Sequence, residues 1–270
     1  MLPLQNPSYM RMNCAAACGT CDWLDVNIRC PLADPMTGVW EPGDLNEFFT
    51  NITTDGKYKV DVLSQPPAPW IVTIDDFISA DEAEAMIELG RESGYARSGG
   101  VGRMLDDGTL ENIISISRTS SNAWCSTDAC QQHPTAKTIA RRITELTHIP
   151  EVNYEHFQLL QYNVGQYYKS HHDYIPNHFE RPVGARILTV FMYLSDVEEG
   201  GGTAFTDLDI EVNPKRGRAL IWPSVLNDEP HVADERTVHE ALPVIKGDKY
   251  ACNAWLHQRE FKPWYDKNCD

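Results

Sequence analysis

No run in this chain approaches the ~20 consecutive apolar residues needed to span a bilayer, and positive charge is scarce. Lysine and arginine number 23 against 39 aspartates and glutamates, a formal net charge of -16. That balance argues against nucleic acid and anionic membranes as main partners, because phosphate binding draws on positive patches. The opening residues Met1-Leu2-Pro3-Leu4-Gln5-Asn6 carry neither the basic n-region nor the apolar h-region of a secretory signal. Internal repeats and low-complexity tracts are also lacking. The length of 270 residues suits one sizeable core with a small appendage.

Cysteine, by contrast, is plentiful. Cys14, Cys18, Cys21 and Cys30 crowd one short polar segment, and Cys125 and Cys130 bracket Ser126-Thr127-Asp128-Ala129. Such density points to disulfides and an oxidising compartment, with Cys125 and Cys130 as a candidate pair. Zinc is the competing reading of Cys18-x-x-Cys21, but no second closely spaced Cys/His pair completes a tetrahedral site. Asn51-Ile52-Thr53 is a candidate glycosylation sequon. These features lead us to expect the endoplasmic reticulum lumen or secretory pathway, with a targeting segment outside this chain.

Three regions are expected: a cysteine-rich segment over residues 1–30, a linker over 31–68 and a catalytic domain over 69–265. The linker reading rests on its Pro, Gly, Asp and Asn content and on Gln65-Pro66-Pro67-Ala68-Pro69 at its end. A strand follows at Trp70-Ile71-Val72-Thr73-Ile74. Ser79 and Glu82 have the spacing of a capping box, and Ala83, Met86, Ile87 and Gly90 form one helical face behind it. Ala136, Ile139, Ile143 and Leu146 predict a second helix, closed by His148-Ile149-Pro150. From Val152 the pattern changes to short apolar runs. One of them, Ile187-Leu188-Thr189-Val190-Phe191-Met192-Tyr193-Leu194, reads as a strand buried on both faces. Helices followed by many short strands predict a mainly β sandwich or barrel buttressed by N-terminal helices. Ser98–Ile116 and Asn177–Gly184 are expected as loops that close over substrate.

The chemistry begins at Tyr167-Tyr168-Lys169-Ser170-His171-His172-Asp173. On a strand, residues i and i+2 share a face, so His171 and Asp173 can reach one ion while His172 points away. The third ligand comes from elsewhere, and His239 is the best candidate. Two histidines and a carboxylate on one face of an octahedron leave three positions open, as in non-haem iron(II) oxygenases. Ten residues on, period-two alternation puts Lys249, Asn253, Trp255 and His257 on one face of a strand. Tyr250, Cys252, Ala254 and Leu256 take the other. A buried lysine is costly without an anion, which a small dicarboxylate held at the metal would supply.

From about residue 70 to 262 the chain resembles the prolyl 4-hydroxylase catalytic domain, in the plant, algal and collagen-modifying branch of the 2-oxoglutarate oxygenases. The resemblance is carried by Gln161-Tyr162-Asn163-Val164-Gly165-Gln166-Tyr167-Tyr168 running into His171-x-Asp173, and by Arg186-Ile187-Leu188-Thr189. Tyr193-Leu194-Ser195-Asp196, Glu199-Gly200-Gly201-Gly202-Thr203, His239, Lys249 and Asn253-Ala254-Trp255-Leu256-His257 complete it. It implies a double-stranded β-helix, or jelly roll, with iron(II) on His171, Asp173 and His239. It further implies 2-oxoglutarate held by Lys249, Tyr162, Thr203 and Trp255, and a proline-containing peptide touched by Tyr168, Arg186 and His257. Consumption of O2, release of succinate and CO2, hydroxylation at proline C4 and a need for ascorbate follow from the same resemblance. Asn6-Pro7-x-Tyr9-Met10 with Asn13-Cys14-x-x-x-Cys18-Gly19-x-Cys21 is similar to the end of a ShK-toxin-like domain whose upstream cysteines are missing. Two rival readings stand beside this one: a 2-oxoglutarate oxygenase acting on another residue or small molecule, and a non-catalytic secreted binding protein on the same fold.

Overall fold

The computed structural model describes residues 19, 24–34, 36–104 and 110–269, the side chains of 100–104 and 110–114 excepted. In chain order the strands begin with β1 (Val60–Ser64), β2 (Ile71–Ile74), β3 (Ala96–Arg97), β4 (Gly99–Met104), β5 (Leu110–Ile114), β6 (Ser121–Trp124), β7 (Gln158–Tyr162) and β8 (Tyr168–His171). They continue with β9 (Arg186–Tyr193), β10 (Glu199–Gly200), β11 (Thr203–Phe205), β12 (Ile210–Val212), β13 (Ala219–Pro223), β14 (His239–Ala241), β15 (Val244–Lys246) and β16 (Lys249–His257). An antiparallel sheet of order β1-β2-β13-β9-β16-β7-β6-β3 packs on a second of order β12-β11-β14-β8. This is the jelly roll expected from the sequence.

Strand alternation sorts the large sheet into two cores. Cys252, Ala254 and Leu256 of β16 join Val190 and Met192 of β9 and Ala219 and Ile221 of β13 in a cluster under the helices. Ala251, Phe191, Tyr193, Leu220 and Trp222 face the other way and meet Phe205 and Val212 of the small sheet. Central strands are therefore apolar on both faces. The inward face is where polar exceptions gather, and they define the site.

Three longer helices cover the outer face: α1 (Asp44–Thr54), α2 (Ala80–Ser93) and α3 (Pro134–Thr147). Both halves of the capping box on α2 form, Ser79 accepting from the Glu82 amide and Glu82 from the Ser79 amide. On α3 the expected positions Ala136, Ile139, Ile143 and Leu146 are buried, and left-handed His148 ends the helix.

Two expectations change. The stretch expected as a linker folds: α1 buries Leu45, Phe48, Phe49 and Ile52, and β1 pairs with β2. Phe49 stacks on Trp70 at 5.4 Å, so this part of 31–68 is built into the core. Within 98–116, β4 and β5 form an antiparallel hairpin where a loop was expected. Cys125 and Cys130 are bridged as expected, with Cα atoms 5.2 Å apart. Cys30, however, pairs with Cys269 across 239 residues, a partner that spacing alone did not indicate. Cys14, Cys18 and Cys21 lie outside the described residues. Among the described residues no helix is long and apolar enough to cross a membrane.

Candidate active site

His171 ends β8 and His239 begins β14, and the two are cross-strand partners. Their pairing brings together ligands 68 positions apart in the numbering. Each ring is oriented by its own backbone: His171 Nδ1 lies 2.9 Å from the Lys169 carbonyl, and His239 Nδ1 lies 2.9 Å from the Thr237 carbonyl. Both Nδ1–H groups donate there, leaving the Nε2 lone pairs for a metal. Asp173 lies two residues past the end of β8, and its Oδ2 accepts a 2.7 Å hydrogen bond from Thr189 Oγ1. Its two oxygens stand 4.0 Å from His171 Nε2 and 3.8 Å from His239 Nε2, and the ligand atoms of the triad all fall within 4.8 Å of one another.

Burial favours the uncharged form of both imidazoles, lowering His239 below its usual range and His171 to about 3, with the neighbouring His239 adding to the latter. Burial alone would raise Asp173, but the two histidines and Arg186 more than offset it and the carboxyl is lowered. Two neutral imidazoles and one carboxylate are the donor set of an iron(II) facial triad. His172 points away as expected. Its Nδ1 accepts from the Tyr174 amide and its Nε2 lies 3.0 Å from the Asp234 carbonyl, bracing the segment that delivers His239.

Lys249 is wholly buried at the start of β16, opposite Tyr162. Its Nζ sits 5.0 Å from the Tyr162 ring and 5.5 Å from those of Phe191 and Tyr193, and among the described residues it has no hydrogen-bond partner. Burial pushes the amine down to about 7. An orphaned ammonium among rings is a strong demand for an anion. Tyr162, Phe191 and Thr203 also line the cavity that holds the triad, so the amine lies against two rings of that cavity's wall. The residues present therefore fit iron(II) with a dicarboxylate. Gly201, beside the Lys249 stem, holds φ +71°, a left-handed conformation that gives the glycine run before Thr203 a use.

The other expected contacts divide. Thr203 is buried and its Oγ1 accepts a 2.7 Å bond from Tyr193, leaving its own proton to donate. Trp255 lines the cavity with its indole N–H unpartnered and the Arg186 guanidinium 3.9 Å above the ring. Tyr168 stacks on His171 at 3.6 Å at the cavity wall. Arg186 reaches the Asp173 carbonyl but is mainly bound to Glu155. His257 is a correction. It is wholly buried, with Nδ1 2.8 Å from the Gly184 carbonyl and Nε2 2.8 Å from Glu155. It does not wall the cavity; it acts through Glu155 on Arg186.

Sequence reasoning missed Glu155, Thr189, Tyr193 and Arg118. Burial raises Glu155, but Arg186 and His257 outweigh it and hold the carboxyl at about 2. Arg118 lies over Tyr168 at 4.8 Å and donates to Gln158 at 2.8 Å, placing a guanidinium at the cavity wall. For Thr189 a signal existed: it is the one aliphatic hydroxyl in a mostly apolar strand buried on both faces.

A family model described as the 2OG-Fe(II) oxygenase superfamily matches residues 157–257, which contain every residue of the triad and Lys249. The chain is also 33% identical over 227 residues to probable prolyl 4-hydroxylase 8 of Arabidopsis thaliana, covering 77% of this chain and 74% of that one. It belongs to the prolyl 4-hydroxylase family. Prolyl 4-hydroxylase subunit alpha-1 of Gallus gallus is 34% identical over 196 residues, 71% of this chain and 36% of that longer protein. The crystal structure of a viral collagen prolyl hydroxylase from Paramecium Bursaria Chlorella virus-1, in complex with 2OG, superposes with a TM-score of 0.53 at 26% identity. The match covers 75% of this chain and 97% of the viral one. As a member of this family the protein is an enzyme using iron(II), 2-oxoglutarate and O2.

Proposed function

We propose that the protein hydroxylates peptidyl proline at C4. The carrying observation is the triad of His171, Asp173 and His239 in a chamber lined by Tyr162 and Phe191, with the unpaired, wholly buried Lys249 against those same two rings. The three ligands would hold iron(II), and Lys249 would neutralise the far carboxylate of 2-oxoglutarate, with the Thr203 hydroxyl donating beside it. Bound there, the metal and cosubstrate supply the oxidising chemistry, with succinate and CO2 as by-products. The protein's own contribution is position and dryness. Thr189 fixes one Asp173 oxygen, backbone carbonyls fix both imidazole tautomers, and burial of Asp173 and His239 keeps water from the reacting atoms. At the mouth, Tyr168, Arg118 and Arg186 would contact the peptide. A proline-rich peptide suits donors such as these, because its tertiary amides offer carbonyl oxygens and no N–H. The hairpin of β4 and β5 and the segment 177–184 would close over it. Ascorbate would restore iron oxidised in turnovers without substrate. The two disulfides support a luminal or secreted location.

The test is incubation with iron(II), 2-oxoglutarate, ascorbate and polyproline or collagen-like peptides, read by mass spectrometry for one added oxygen on proline. Succinate release without peptide oxidation would reassign the substrate. No turnover, together with His171→Ala binding metal as well as wild type, would overturn the reading entirely.

A further inference from the structure

Away from the chamber, on the outer face of the large sheet, a groove of about 270 Å3 runs between α1 and the C-terminal end of α3. Its floor is apolar: Trp40, Phe48, Ile52, Leu146 and Ile149 are all buried. Around it stand the carboxylates of Asp44, Glu47, Asp55 and Glu145, against one lysine, Lys57, which pairs with Glu145 at 3.7 Å. An aromatic and aliphatic floor under a rim of hydrogen-bond acceptors repels anions and suits a neutral polyhydroxylated ligand.

The same groove is lined by Asn51, and Asn51-Ile52-Thr53 is the only N-x-S/T sequon in the sequence. The helical period separates its members. Ile52 turns into the core, while Asn51 is exposed and no hydrogen bond from the described residues engages its carboxamide. Thr53 donates its hydroxyl to the Thr50 carbonyl at 2.8 Å, a local bond that leaves Asn51 untouched.

We propose that Asn51 carries an N-linked glycan whose first sugars lie in this groove. The inference rests on the luminal location proposed above. In the modifying step the Asn51 carboxamide nitrogen displaces a polyisoprenyl diphosphate from C1 of an N-acetylglucosamine. The N–C1 bond forms, the bond from C1 to the diphosphate oxygen breaks, and the amide proton leaves with the diphosphate. Once attached, the sugar is tethered at the groove's own rim, so its effective concentration is in the millimolar range and weak contacts suffice to seat it. The modified face is the outer one, covered by helices, so the glycan leaves the mouth of the catalytic chamber open.

The experiment uses full-length protein secreted from a eukaryotic host. Intact mass is measured before and after peptide-N-glycosidase, for wild type, Asn51→Gln, Thr53→Ala and Thr53→Ser. Wild type and Thr53→Ser should carry a glycosidase-sensitive mass that the other two lack. Amide hydrogen exchange should then be slower over residues 44–57 and 145–149 in the glycoform than after enzymatic removal of the glycan. Unmodified Asn51 in protein whose Cys30–Cys269 and Cys125–Cys130 bridges have formed overturns the proposal alone. Free thiols at those positions overturn the luminal location and the proposal with it. A glycan that leaves exchange unchanged overturns its seating in the groove.

Discussion

Lys249 should destabilise the protein that depends on it. An amine that ordinarily titrates near 10.5 is held at about 7 by burial. At about 1.4 kcal/mol per pH unit, the folded state forgoes roughly 4 kcal/mol at pH 7 by enclosing it without an anion. Methionine matches the length of the stem and carries no charge, so Lys249→Met should stabilise the ligand-free protein by an amount approaching that figure. At about 2–4 °C per kcal/mol for a chain of this size, the melting temperature should rise by roughly 10 °C. The ligand response should invert. With manganese(II) standing in for iron, 2-oxoglutarate at 100 times its wild-type Kd should stabilise wild type by about 2.7 kcal/mol and Lys249→Met by far less. The sign with pH is equally specific. Between about 7 and 10.5 the unfolded chain binds more protons at this lysine than the folded one, so the ligand-free wild type gains stability as pH rises through that window. The variant loses this slope. Thermal and urea unfolding, with and without 2-oxoglutarate, measure all three. A variant that melts below wild type, or gains as much as wild type from the dicarboxylate, would refute the assignment of Lys249 as an unpaired anion receptor.

The same amine makes cosubstrate binding proton-linked. Affinity for 2-oxoglutarate should weaken as pH rises above about 7, and calorimetry in buffers of different ionisation heat should record proton uptake on binding. Glu155→Gln should cost about 3–5 kcal/mol in urea unfolding, because it leaves the half-buried Arg186 and the buried His257 without their shared carboxylate; an unchanged midpoint would show the network to be incidental. Held at about 2 against an ordinary 4.5, Glu155 contributes stability that is complete above 4.5 and lost as pH falls towards 2, and the Gln variant should lose that part of the acid slope. Thr189→Val should keep the fold yet weaken metal binding by roughly 10–100-fold, the usual effect of deleting a partner that orients a ligand; metal titration by thermal shift would show it.

What the sequence disclosed was whatever a local period encodes. Alternation along β16 separated Lys249, Asn253 and Trp255 from Cys252, Ala254 and Leu256, and the two clusters of the core divide along that line. The capping box of α2 was legible because Ser79 and Glu82 act three residues apart. Helix α1 was missed for a different reason. Leu45, Phe48, Phe49 and Ile52 carry the helical spacing in plain view, but the surrounding Pro, Gly and Asp residues dominated the reading. Cys30–Cys269 and Glu155 were beyond reach, since each is defined by a partner brought close only by the tertiary fold. His257 marks the limit of alternation itself. Parity put it on the right face, but parity says nothing of how far along β16 the chamber extends, and the Gly184 carbonyl and Glu155 claim the ring beyond its edge.

The charges of the chamber explain why a lysine stands where an uncharged donor could make the same hydrogen bond. In a buried space each uncompensated charge is costly, so a complete site approaches neutrality. A divalent metal brings two positive charges, Asp173 one negative, and a dicarboxylate two negative; the sum is one negative, and a protonated Lys249 cancels it. Without metal or dicarboxylate, the lowered amine and the neutral imidazoles leave Asp173 as the charged member of the groups that would meet the metal and cosubstrate, and the hydroxyl of Thr189 bonds directly to it. The protein thus stores its imbalance at one residue, Lys249, which gains its proton as the anion arrives. A monocarboxylic 2-oxo acid can chelate a metal equally well but leaves that proton without a partner. Discrimination between the two acids should therefore be large in wild type and collapse in Lys249→Met, a difference that competition binding at fixed pH would measure.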